Sequence, residues 1–199
     1  AIALGGLTHL QKGFPGRVDE LVNVLDNGRN DRNPDRDRCH GNDSHPISFG
    51  DSCVYGVAGA TPTSAIWGDS FAAELAVALG ERATQRGESM LYSSSGACPP
   101  AIGVFSEDRP QCEAHNVGIL AGLVAHPEIR QVVLVARYER YFSVYGERYL
   151  DGLGKVASTL RDAGKHVVVT YPIPKPPGGS TARSRAWPIS RSVMISASD

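Results

Sequence analysis

Residues 63–87, TSAIWGDSFAAELAVALGERATQRG, carry the reading on which the fold turns. "TSAIWG" is a short apolar run closed by a glycine and predicts a strand. "SFAAELAVALGERATQRG" spaces its apolar residues at helical intervals and predicts a helix stopped by Gly87. The same alternation then repeats downstream. "SMLYSSSG" (89–96) predicts a strand, "PQCEAHNVGILAGLVAH" (110–126) a helix ended before Pro127, and "RQVVLVARY" (130–138) a strand. "GERYLDGLGKVASTLRDAG" (146–164) predicts a helix and "HVVVTYPIP" (166–174) a further strand. Such alternation implies an α/β fold, a three-layer α/β/α sandwich of the flavodoxin-like kind with helices on both faces of a parallel sheet. In sheets of this kind ligands bind beyond the carboxyl ends of the strands, so residues just after each strand are the functional candidates.

Upstream of residue 61 the character differs. "DELVNVLD" (19–26) suggests a short helix stopped by Asn27-Gly28. The stretch that follows, "NGRNDRNPDRDRCHGNDSHP" (27–46), is too rich in Asn, Asp, Arg and Gly to bury much and predicts a surface loop. The expected organisation is therefore an irregular extension over 1–60 and a domain over 61–199.

Composition narrows the function classes. The chain has 199 residues, 41% of them hydrophobic, enough for one globular core. Twenty basic residues against twenty-one acidic ones give a net charge of -1, which offers nucleic acid no electrostatic footprint. No apolar run approaches the roughly 20 residues that span a bilayer, and the first residues lack the pattern of a signal peptide.

Four cysteines lie in two local pairs, Cys39 with Cys53 and Cys98 with Cys112. Three disulfide connectivities are open to them. The two local pairs are the expected ones, each contributing about 3 kcal/mol by the loop-entropy estimate, and they imply an exported domain. Four free thiols are the bland alternative. Zinc held by Cys39, His40, His45 and Cys53 is a third, disfavoured because two adjacent ligands suit a tetrahedral site poorly.

Gly-Asp-Ser occurs twice, at Ser52 and at Ser70. Ser52 lies in the irregular extension and is expected to be a loop residue. Ser70 follows a strand and opens a helix, where free N–H groups would stabilise an oxyanion. An ordinary helix cap explains the tripeptide equally well when it is taken alone. Two further strand ends add weight. "SSSGACPP" offers Gly96, whose backbone N–H could approach a reacting carbonyl, or else a plain turn before Pro99. "VVLVARYERY" places Arg137 and Tyr138 at the same edge, with Arg137 either on a polar ligand or paired to an acidic neighbour.

The ordered set "IWGDSFA", "SSSGACPP", "VVLVARYERY" and "YPIP" resembles the SGNH hydrolase family, and more closely its branch fused to membrane acyltransferase-3 domains. In that branch "GFPGR" and the cysteine-bounded extension look like the periplasmic linker. The resemblance implies that Ser70 is the nucleophile and that the backbone N–H groups of Ser70 and Gly96 form the oxyanion hole. It implies an O-acyltransferase, most simply an O-acetyltransferase, that passes an acyl group through a serine ester to a hydroxyl of a cell-surface polysaccharide such as O-antigen. An esterase of the same fold and a non-catalytic glycan- or partner-binding module are the alternatives. The implied setting is periplasmic and tethered to the inner membrane through an acyltransferase-3 domain of the same full-length chain. No bound cofactor or metal is implied, the acetyl group coming ultimately from acetyl-CoA through the membrane domain.

Two departures from the family accompany this. The third block usually supplies an Asn to the oxyanion hole, and "ARYERY" has none, which makes Arg137 or a backbone group the substitute. The family's base comes from a C-terminal Asp-x-x-His, and no histidine follows His166. The expectation is a chain that stops before that segment, with His9, His40, His45, His115, His126 and His166 in solvated or structural roles.

Overall fold

The structure, a computed structural model, describes residues 32–172. The expected helix at 19–26, "GFPGR", His9, the end of "YPIP" and the last 27 residues of the sequence lie outside that range.

Four parallel strands form the body of the sheet: β3 (Ser64–Gly68), β4 (Ser89–Ser95), β5 (Gln131–Val135) and β6 (His166–Val169). Between them run α2 (Ser70–Gln85), α3 (Pro110–Ala125), α4 (Tyr138–Tyr145) and α5 (Glu147–Asp162). These strands are ordered β4-β3-β5-β6, so the chain steps one way from β3 and then returns past it. That is the flavodoxin-like order, with its reversal between β3 and β5.

Both faces of the sheet are covered, and the residues of β3 divide between them. Ala65 and Trp67 pack with Ile119, Leu123, Val156 and Leu160 of α3 and α5. Ile66 packs on the other side with Ala72, Ala73 and Ala76 of α2. Burial on both faces is why this strand is a continuous apolar run without alternation.

The stretch read from sequence as an extension supplies part of the sheet. After a single helical turn, α1 (Arg36–Cys39), come β1 (His40–Gly41) and β2 (Cys53–Gly56). They lie end to end along the outer edge of β4. β1 pairs parallel with Ser94 and Ser95, and β2 pairs antiparallel with residues 89–92. All seven residues of β4 are buried as a result. Strands of two and four residues have no periodicity to read and so leave no mark in the sequence.

Both expected disulfides are present, Cys39–Cys53 and Cys98–Cys112. The first joins the end of α1, just before β1, to the first residue of β2, and its formation removes the thiolates that a zinc site with His40 and His45 would need. The second lies in a third cluster with Phe105, Tyr138, Tyr141 and Tyr149 under the loop after β4.

Candidate active site

The β3–α2 turn is built by its glycine and its aspartate. A Cβ at Gly68 would stand 1.9 Å from the carbonyl oxygen of Val135, so β3 can approach β5 at its carboxyl end only without a side chain there. Asp69 is 1% exposed and caps α2, its Oδ1 accepting the Phe71 N–H at 2.9 Å. Its Oδ2 accepts the Arg137 N–H at 3.0 Å and the Tyr141 hydroxyl at 2.8 Å. A buried carboxylate is tolerable when its lone pairs are filled in this way. Burial first, then the neighbouring Asp69 charge, push the Tyr141 hydroxyl far above its usual pKa, so it stays a donor.

Capping by Asp69 leaves Ser70 free of that task. Ser70 is the first residue of α2 and partly exposed. Among the described residues neither its hydroxyl nor its backbone N–H has a hydrogen-bond partner. A helix N-terminus with an unspent N–H beside a free hydroxyl suits an oxyanion. Ser52, by contrast, sits in the turn before β2, its Oγ donating to the Ser48 carbonyl at 3.2 Å.

The other expected residues are at the same edge in different states. Gly96 follows β4, but its N–H donates to the Gly41 carbonyl at 2.7 Å. The reason is local: β1 runs beside β4, and its last carbonyl extends the ladder one bond beyond Ser95. An oxyanion could use the Gly96 amide only after displacing that carbonyl. Arg137 contributes its backbone N–H to Asp69, while its 43% exposed guanidinium pairs with Glu139 at 3.0 Å. Tyr138 does not prolong β5. It starts α4 and donates its hydroxyl to the Leu134 carbonyl at 2.7 Å.

Arg109, which no sequence pattern singled out, ties the two loops on the β4 side. It donates to the carbonyls of Ala97 and Gly96, and pairs with Asp43 at 3.1 Å. Ala97 between them has φ 51°, a left-handed conformation costly for a residue with a Cβ.

The histidines separate by position. His126 Nδ1 donates to the Gly122 carbonyl at 2.7 Å, and His115 Nδ1 to the Ile47 carbonyl at 3.1 Å. His166 is at the amino end of β6, away from the carboxyl edge, and His45 is exposed in a turn. His40 is different. It opens β1 level with Ser94, and its Nδ1 lies 2.8 Å from Ser94 Oγ. Burial first, and Arg36 second, lower its pKa to about 4, so the ring is neutral at neutral pH.

Fold and site together define an α/β domain with an unengaged serine at a helix N-terminus, beside the reversal of its parallel sheet. The chain belongs to the SGNH domains described as fused to AT3 domains, a family whose pattern matches residues 38–198. The match starts at the first turn before β1, so the family pattern includes the edge strands. No curated protein sequence matches the chain. A solved structure, the periplasmic domain of a lipopolysaccharide acetyltransferase of Salmonella ser. Paratyphi A, is similar at 16% identity and a TM-score of 0.49. That similarity covers 66% of this chain and 51% of the other, so the chain spans about half of that structure's length.

Proposed function

We propose that this chain is the acyl-accepting domain of a membrane-tethered O-acyltransferase and that Ser70 carries the acyl group. The observation that supports it best is the pairing of an unengaged hydroxyl with an unengaged amide on one residue at the head of α2. In the first step Ser70 Oγ bonds to the acyl carbon of the donor, the acyl–donor bond breaks, and the serine proton leaves with the departing group. In the second step a sugar hydroxyl bonds to the same carbon, the Ser70 ester bond breaks, and the proton returns to Ser70. The Ser70 N–H and the α2 N-terminus face the oxyanion in both steps. No bound metal or cofactor is needed.

The acceptor is a hydroxyl of a cell-surface polysaccharide, and acetyl is the simplest acyl group. It would come ultimately from acetyl-CoA, through an acyltransferase-3 membrane domain of the full-length protein. Two disulfides within one small domain favour an oxidising compartment and hence the periplasm. Water in place of the sugar would make the same acyl-enzyme an esterase. A base must still draw the proton from Ser70, and among the described residues no histidine is hydrogen-bonded to it.

The test is p-nitrophenyl acetate turnover by the full-length protein, with peptide mass analysis for an acetylated serine. Ser70→Ala is expected to abolish both p-nitrophenolate release and the acetyl adduct, and Ser52→Ala to leave both intact. Equal effects from the two substitutions, or an adduct elsewhere, would overturn the assignment and favour a binding module.

A further inference from the structure

The segment before β1 is strapped to the start of α2. Asn33 Nδ2 donates to the Ala73 carbonyl at 2.7 Å, and the Asn33 N–H donates to Glu74 Oε2 at 2.8 Å. Arg36 pairs with the other oxygen of Glu74. Glu74 is one helical turn after Ser70. Cys39, the residue before His40, packs among Ala72, Ala73 and Ala76.

The sheet register brings His40 to the same level. Gly68 of β3 pairs with Ser94 of β4, and Ser94 pairs with His40 of β1. Gly68, Ser94 and His40 therefore form one row, with His40 two strand spacings, about 10 Å, from Gly68. Tyr92 lies in the cluster under α2, and Ser94, two residues on, points to the same face. The imidazole bonded to Ser94 thus stands on the face that carries α2, at the edge where Ser70 opens.

Its chemistry there is fixed by its anchor. Ser94 Oγ donates to the Tyr92 hydroxyl at 2.6 Å, so it accepts from His40, whose Nδ1 bears the proton. Nε2 then presents a lone pair. That nitrogen has no partner among the described residues and lies 3.6 Å from where a Cβ on Gly96 would be. A neutral imidazole with so low a proton affinity is a poor general base at neutral pH but a good hydrogen-bond acceptor.

We propose that His40 forms the acceptor side of the Ser70 site, its Nε2 taking a hydrogen bond from a hydroxyl of the acceptor sugar other than the one that attacks the acyl group. This rests on Ser70 being the acylated nucleophile. The ligand class is a neutral polyol, recognised through a donated O–H. The edge strand β1 and the Cys39–Cys53 bridge hold the group that meets it.

The full-length protein is given p-nitrophenyl acetate as donor and methyl α-D-glucopyranoside as acceptor, and acetylated glycoside is measured against free acetate. His40→Asn is expected to lower the ratio of transfer to hydrolysis about tenfold through a raised acceptor KM, as loss of one neutral hydrogen bond does. Ser94→Ala, which keeps the ring and removes its anchor, is expected to lower the ratio less, and His45→Asn in the exposed turn after β1 not at all. The Ser94 variant carries the test if His40→Asn does not fold. An unchanged ratio in the folded variants overturns the proposal, as does a burst of Ser70 acylation that falls by the same factor as transfer. A native protein that acetylates Ser70 but never the glycoside counts against it too. Native protein in which Ser70 is never acetylated removes the reading beneath it instead.

Discussion

The turn from β3 into α2 and the edge formed by β1 and β2 are both needed at the carboxyl end of the sheet, yet they are held by opposite means. The turn is local. Strand, glycine, capping aspartate and helix follow one another within a few residues, and the conformation of each favours the next. The edge is assembled from two strands too short to stand alone, held by a bridge between Cys39 and Cys53, 14 residues apart. Regions of the first kind declare themselves in the sequence and resist loss of a distant contact. Those of the second kind do neither.

The largest effect expected is at the local turn. Gly68→Ala drives a Cβ into the Val135 carbonyl, a backbone group that cannot step aside without separating β3 from β5. A loss of about 3 kcal/mol or more is expected, read as the shift of the urea midpoint. A midpoint close to that of the native protein would show that the β3–β5 approach is softer than the geometry states.

Removing the covalent link should cost a similar amount but in one place. Cys39→Ser with Cys53→Ser is expected to lose about 3 kcal/mol. Amide exchange should then lose protection at β2 while β3 and β5 keep most of theirs. Uniform loss across all strands would mean that the edge and the sheet unfold as one unit, and the contrast between the two regions would fail.

The smallest effect separates the two regions by pH. The His40 pKa is about 4 in the folded protein against an ordinary 6.5, because burial and Arg36 disfavour its charged form while Glu74 opposes them and His115 adds slightly. The unfolded chain therefore binds a proton that the folded one refuses. The stability tied to this group is complete above the ordinary value and is lost as pH falls from there through about 4. Denaturant midpoints of native protein and His40→Asn should converge across that window and run parallel above it. Parallel lines throughout would place the imidazole in water.

What the sequence shows and what it hides follow the same division. The parallel sheet, its four main strands and the position of Ser70 come from periodicity and from a strand running straight into a helix. The partners of Asp69 lie 68 and 72 residues away, so its role as the tie between two strand ends has no local mark. The bond from the Gly96 N–H to the Gly41 carbonyl has no mark in the sequence, because that carbonyl belongs to a strand of two residues. His40 reads as part of a polar loop for the same reason. The helix α4 does leave a signal: Tyr138, Tyr141, Phe142 and Tyr145 recur at helical spacing, so the strand predicted over 130–138 ends short of Tyr138.

The double cover on β4 also bears on how the protein behaves in bulk. β4 is Ser-Met-Leu-Tyr-Ser-Ser-Ser, with no charge and no proline in its seven residues. In a reducing cytosol the bridge that fastens β1 and β2 over it does not form. The strand then offers a bare, uncharged edge to other copies, which is a template for intermolecular pairing. Insoluble material from such a host, and soluble material from an oxidising one, would be two outcomes of one covalent bond.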